Sequence, residues 1–101
     1  MEFVRTLKAL ADPLRLRILA AVAEEELTVG EVQDVVESVQ SSVSRNLAIL
    51  RDAGLVHIRE EGKQTFYTLS QERVAVCCGQ IMLKFAPEEK ATEAVIKVVN
   101  Q

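Results

Sequence analysis

The chain has no Trp, one Tyr, three Phe, four Gly, two Pro, two Cys and one His in 101 residues. Each scarcity excludes something. With so few aromatics the core must be built from aliphatic side chains. Two Cys do not make a disulfide scaffold and point to a reducing, cytoplasmic setting. No apolar run approaches the roughly 18 residues that cross a bilayer, so no membrane span is expected. The opening residues, MEFVRTLKAL, mix charges with apolar positions and lack a small-residue cleavage site, which argues against a secretory signal. There is no Ser/His/Asp set, no phosphate-binding Gly loop and no HExxH motif, and the lone His57 has no evident catalytic partner. An enzyme is therefore not expected.

What is present reads as a folded protein. At 49% apolar and 27% charged, the composition is globular rather than disordered. The length predicts a single domain over 1–101, small enough for its core to be completed by pairing with a second copy. Net charge is −3, which taken alone disfavours a nucleic-acid partner. The charge is uneven, however. Residues 23–39 carry Glu24, Glu25, Glu26, Glu31, Asp34 and Glu37 with no base at all. The acidity belongs to that short segment, and the remainder is mildly basic.

Helix punctuation is readable along the chain. Phe3, Leu7 and Leu10, with Val4 and Ala11 alongside, follow the i, i+4, i+7 rule of an amphipathic helix. Asp12-Pro13 supplies a cap and a first-turn proline for a second helix. Its apolar stripe is Leu14, Ile18, Leu19 and Val22, with Arg15 and Arg17 projecting elsewhere. Thr28 and Glu31 match a capping box, predicting a short helix to about Glu37 with Val29, Val32, Val35 and Val36 inward. A further helix places Val43, Leu47 and Leu50 on one face and closes at Ala53-Gly54. Two short helices joined by a tight turn, over 28–54, read as a helix-turn-helix.

The period then changes from 3.6 to 2. Val56 and Ile58 alternate with His57 and Arg59; Thr65, Tyr67 and Leu69 alternate with Phe66 and Thr68. Glu60-Glu61-Gly62-Lys63 lies between them as a polar turn, so 55–69 is a β-hairpin, or wing. Ser70 caps a helix to about Phe85 with Val74, Cys77, Cys78, Ile81 and Met82 on its apolar side. Ala86-Pro87 interrupts it, and Ala91, Val95 and Val98 open a last amphipathic stretch. The predicted fold is mainly α with a β-hairpin: a winged helix-turn-helix with additional helices at 1–11 and 71–101.

On the second helix of the motif, Ser41, Arg45 and Ala48 lie opposite the core stripe, flanked by Ser42 and Ser44. One cation, several hydroxyls and no bulk suit entry into a DNA major groove, where Arg reads guanine and Ser either kind of edge. An ordinary solvated helix face has the same composition, and the preceding turn and following hairpin are what favour DNA. In the wing, Arg59, Lys63 and Gln64 are placed to reach phosphates or the minor groove, with Glu60 and Glu61 weakening the local field.

Residues 7–70 resemble the ArsR/SmtB family of bacterial winged-helix repressors. The matching pieces are LKALADPLRLRILAAV (7–22), ELTVGEV (26–32), QSSVSRNLAILRDAGLV (40–56) and REEGKQTFYTLS (59–70). The resemblance implies a homodimer built from the first and last helices. It also implies repression from an inverted-repeat operator in double-stranded DNA until an inducer releases the protein. Matched by position, Gln40, Ser41, Ser42, Ser44 and Arg45 fall on the family's recognition helix. Asn46 stands where the family often has His, and can still hydrogen-bond bases or phosphates.

The family's sensor sites are matched less well. Arsenic- and cadmium-sensing members carry Cys-x-Cys where this chain has Thr28 and Gly30. Zinc and nickel sensors use His-containing pairs on the last long helix, whereas His57 sits at an outward strand position. That leaves Cys77 and Cys78. Neighbours on a helix point about 100° apart, so the two sulfurs converge poorly within one chain. Across a dimer axis they are candidates for a soft ion such as As(III) or for a redox couple. Equally, they are small apolar residues packing an interface. A winged helix used only for protein–protein contact is the rival function.

Overall fold

The computed structural model describes residues 2–86 and 88–100. Nine elements follow in order: α1 (Glu2–Leu10), α2 (Pro13–Glu24), β1 (Leu27–Thr28), α3 (Val29–Val36), α4 (Gln40–Asp52), β2 (Val56–Glu61), β3 (Gln64–Leu69), α5 (Gln71–Phe85) and α6 (Glu88–Val99). The predicted winged helix-turn-helix is the observed fold, with extra helices at both ends.

Local chemistry explains most of the boundaries. The Asp12 carboxylate accepts from the Arg15 amide at 3.0 Å and Pro13 opens α2. The capping box is reciprocal: Thr28 N–H donates to Glu31 Oε1 at 2.9 Å, and Glu31 N–H to Thr28 Oγ1 at 3.3 Å. At the end of α4, Gly54 is left-handed at φ 74°; its N–H bonds Arg51 O and the Leu55 N–H bonds Leu50 O, both at 2.9 Å. That pair of bonds is a Schellman closure. The wing turn is tighter than the expected four residues: Glu61 pairs with Gln64, leaving Gly62 (φ 61°) and Lys63 as its two residues. A glycine with positive φ at the first of two positions matches the twist of paired strands.

The core is aliphatic. Ile18, Leu19 and Val22 of α2 pack with Val32 and Val36 of α3, Val43, Leu47 and Leu50 of α4, and Leu55 and Val56 beyond it. Leu14, Tyr67, Leu69 and Val74 close its margins.

Several expectations are corrected. The hairpin is part of a three-stranded antiparallel sheet in the order β1-β3-β2, because Leu27 and Thr28 pair with Tyr67 and Phe66. A two-residue strand is too short to leave an alternating pattern. The inward stripe of α1 is Phe3, Thr6 and Ala9, while Val4 and Leu7 are exposed. The apolar pattern of α1 has two sides, and the body of the molecule covers only one. Val35 is 58% exposed, since it lies about 100° around α3 from Val36. On α5, Cys77 is buried and Cys78 is exposed for the same reason. Ala86 ends α5 as expected; Pro87 and the Ala91 side chain lie outside the described residues.

The turn between α3 and α4 carries strain. Glu37 is left-handed (φ 52°, ψ 49°), the conformation glycine adopts without cost, and its negative charge sits at a helix C-terminus. Glu37→Gly should therefore raise the unfolding free energy by about 0.5–1 kcal/mol, measured by urea denaturation.

Candidate nucleic-acid interface

The outer face of α4 is set by the core beneath it. Val43, Leu47 and Leu50 anchor one side of the helix, which leaves Gln40, Ser41, Ser44 and Arg45 exposed on the other and Ser42 half-buried. Arg45 forms no ion pair among the described residues. The first turn adds a feature that sequence reasoning missed. Val39 at the N-cap offers no side-chain hydrogen bond, so the leading amides of α4 are left for water or an anion. The signal was the absence of Ser, Thr, Asp or Asn at that position.

Asn46 is placed differently from its expected role. It is buried, its Oδ1 accepts from Arg15 Nη1 at 3.0 Å, and its Nδ2 donates to Ser42 O at 2.8 Å. Its hydrogen bonds face inward, away from any groove. Arg15, expected to project outward, is the hub: Nε donates to Ala9 O at 2.6 Å and Nη2 to Lys8 O at 3.2 Å. One guanidinium thus satisfies the last carbonyls of α1 and holds the middle of α4. Arg17 likewise donates to Val36 O at 2.6 Å, at the end of α3. Spacing gave no sign of these links, because a cation on a polar helix face looks the same whether or not a distant carbonyl meets it.

The wing divides in two. Lys63 and Gln64 are exposed at the tip. Arg59 is not a free cation: Nη2 bonds Glu26 Oε1 at 2.6 Å, Nη1 bonds Glu61 Oε2 at 2.8 Å, and the guanidinium lies 4.5 Å from the Phe66 ring centre. The expected phosphate contact at Arg59 is replaced by a clamp between β2 and the segment before β1. Hydrogen bonding by Arg59 holds the Glu26 carboxyl below its ordinary range, and the two acids push the Arg59 pKa further up.

Among the described residues no three His, Cys, Asp or Glu side chains gather as a metal site. Cys77 packs with its sulfur 4.0 Å from Phe3 O, and burial pushes its thiol pKa up, against thiolate formation. The two thiols of one protomer do not fit a soft-metal centre.

Comparison with known proteins places this geometry. A helix-turn-helix domain family matches residues 10–59. The "Biofilm growth-associated repressor" of Agrobacterium fabrum is 39% identical over 89 residues, spanning 87% of this chain and 76% of that one. "Transcriptional activator HlyU" of Vibrio cholerae is 47% identical over 68 residues, 67% of this chain and 63% of its own length. The solution structure of a homodimeric winged helix-turn-helix DNA-binding domain from Mycobacterium bovis, a possible ArsR-family regulator, superposes with a TM-score of 0.69 at 32% identity. It covers 81% of this chain and 76% of that one. The chain belongs to the ArsR/SmtB family. As such it is a DNA-binding transcriptional regulator and not an enzyme.

For this ArsR/SmtB-family chain two outcomes are expected. Arg15→Gln and Asn46→Ala should each cost about 1.5–3 kcal/mol in urea unfolding, since each orphans polar groups of a shared network. The clamp at the wing is fully present above 4.5, the ordinary Glu value, and is lost as pH falls through the lowered Glu26 pKa. Protection factors of the wing amides, with the intrinsic pH dependence of exchange divided out, should decrease over that fall, and Glu26→Gln should remove the decrease.

Proposed function

We propose that the chain acts as a homodimeric repressor. It reads an inverted-repeat operator with Gln40, Ser41, Ser42, Ser44 and Arg45 in successive major grooves, and sets Lys63 and Gln64 against the flanking backbone. The observation that carries the DNA contact is the exposed α4 face, bounded by an uncapped N-terminus and free of bulky side chains. Asn46 and Arg59 leave the contact set, the first as a positioning residue inside the fold and the second as the wing's clamp.

Dimerisation through the end helices is supported by apolar surface left exposed by the described residues. Leu83 is 90% exposed, with exposed Val76 two turns before it on α5, Val98 and Val99 on α6, and Val4 and Leu7 on α1; Phe85, edge-on to Phe3, is still 68% exposed. Several large apolar side chains on three helices mark an association surface. The radius of gyration, 15.2 Å, exceeds the roughly 13 Å of a compact chain this long. Repression, rather than activation, follows the Agrobacterium relative's name.

Release by an inducer would be a shift between dimer states with different spacing of the two α4 helices. Of the two thiols Cys78 alone is accessible, so As(III), another soft ion or a thiol-reactive species would act by joining or modifying Cys78 of two protomers.

Gel shifts with duplex from the region upstream of its own coding sequence, over a salt series, test the proposal. Affinity should fall linearly in log–log salt, and Arg45→Ala should weaken binding by about 1–3 kcal/mol. Leu83→Glu should yield monomers in sedimentation and lose the shift. An absent or salt-insensitive shift would move the protein to the protein-contact class. Release by As(III) or persulfide that survives in Cys77→Ser/Cys78→Ser would remove the thiols from the switch.

A further inference from the structure

Away from the outer face of α4, three arginines from three helices meet at one cleft. Arg5 of α1, Arg51 of α4 and Arg73 of α5 line a cavity of about 220 Å³ together with Thr6, Asp52 and Gly54. Positions 5, 51 and 73 are far apart in sequence, so this convergence is a product of the fold. Among the described residues Asp52 is the only carboxylate lining it, and Arg51 already holds that group at 3.2–3.3 Å. Arg5 and Arg73 make no side-chain hydrogen bond or ion pair among the described residues. Counting the described residues, the cleft is left with about two uncompensated positive charges, in a chain whose net charge is −3. Like charges brought together without a partner are unfavourable, and an anion between them reverses the sign of that energy.

The walls are also shaped. Gly54 lacks a side chain where the Arg73 guanidinium lies: a Cβ there would stand 3.1 Å from Nε. Arg73 thus rests against bare backbone at the end of α4. Arg51 is oriented by Asp52, with Nη1 outside that contact. Arg5 borders a second cleft of about 290 Å³, to which Lys8 adds another cation. Planar guanidinium forks from different directions match the oxygens of a tetrahedral anion.

We infer that this cleft binds a phosphate-class oxyanion, as inorganic phosphate or as a small phosphomonoester. The volume exceeds a bare tetrahedral anion and leaves room for a short organic group. An anion there links α1, α4 and α5, so its occupancy bears on the position of α4 relative to the end helices. The same chemistry could be supplied by a backbone phosphate of bound DNA, and the experiment separates the two sources.

The first arm uses the full chain without DNA and inorganic phosphate as probe, at constant ionic strength made up with chloride. Arginine Nε–H signals are followed by NMR. Saturable shifts at Arg5, Arg51 and Arg73 are expected in the millimolar range. Arg5→Gln and Arg73→Gln should each weaken the affinity about fivefold or more, while Lys97→Gln, which removes an equal charge on α6, should not. The second arm measures the salt slope of DNA binding. A slope lowered by about one in Arg73→Gln assigns the cleft to a backbone phosphate, and an unchanged slope with a phosphate response assigns it to a free oxyanion. The phosphate arm needs no operator, so it stands even if the DNA proposal fails. No saturable phosphate response, with no slope change or no DNA binding from which to read one, overturns the inference.

Discussion

The packing of α2 against α4 is the contact on which the other features depend. Ile18 and Val22 lie in the same buried cluster as Val43, Leu47 and Leu50, and all five are almost wholly inaccessible. Burying one such side chain contributes roughly 1.5–3 kcal/mol, so this small cluster supplies much of what a 101-residue chain has to work with. It also fixes the rotation of α4 about its axis. With three aliphatic positions turned inward, Ser41, Ser44 and Arg45 have only the outside left to occupy. Arg15 completes the arrangement by joining the α1 carbonyls to Asn46, so α4 is held at its middle by polar bonds as well as along its length by packing.

Electrostatics follow from the same frame. Two acids of the stretch before and within α3 are structural: Glu31 closes the capping box and Glu26 takes the Nε and Nη2 edge of the Arg59 guanidinium. None of the described ion pairs joins an acid to Arg45. Net charge was thus a poor guide to partner, because it sums groups engaged inside the fold with groups presented to solvent. The cations divide similarly. Arg15, Arg17 and Arg59 bind carbonyls or carboxylates of their own chain, whereas Arg5, Arg45, Lys63 and Arg73 present charge outward.

The end helices supply the other half of the design. Phe3 and Phe85 meet edge-on at 6.3 Å, and Cys77 packs beside Phe3, so α1 and α5 are joined within the protomer. Ala9, Leu10 and Val74 face the core, while Val4, Leu7, Val76 and Leu83 are turned out. A chain with three Phe, one Tyr and no Trp cannot cover that surface from within. The separation of Cys77 from Cys78 by one helical step assigns them different environments.

The sequence by itself determined the order of the helices and the hairpin, the caps at Asp12, Thr28 and Ser70, the Schellman glycine at 54 and the family. Each is local: a cap needs a side-chain oxygen within three residues, and a left-handed closure needs a residue without a Cβ. Only the tertiary structure decided that Asn46 turns inward, that Arg15 and Arg59 bind groups 31 and 33 residues distant, that β1 joins the wing, and that Arg5, Arg51 and Arg73 share a cleft. The reason is that hydrogen bonds and ion pairs between separate elements depend on where the core sets those elements. A polar residue on a helix wheel carries no mark of the carbonyl it will meet.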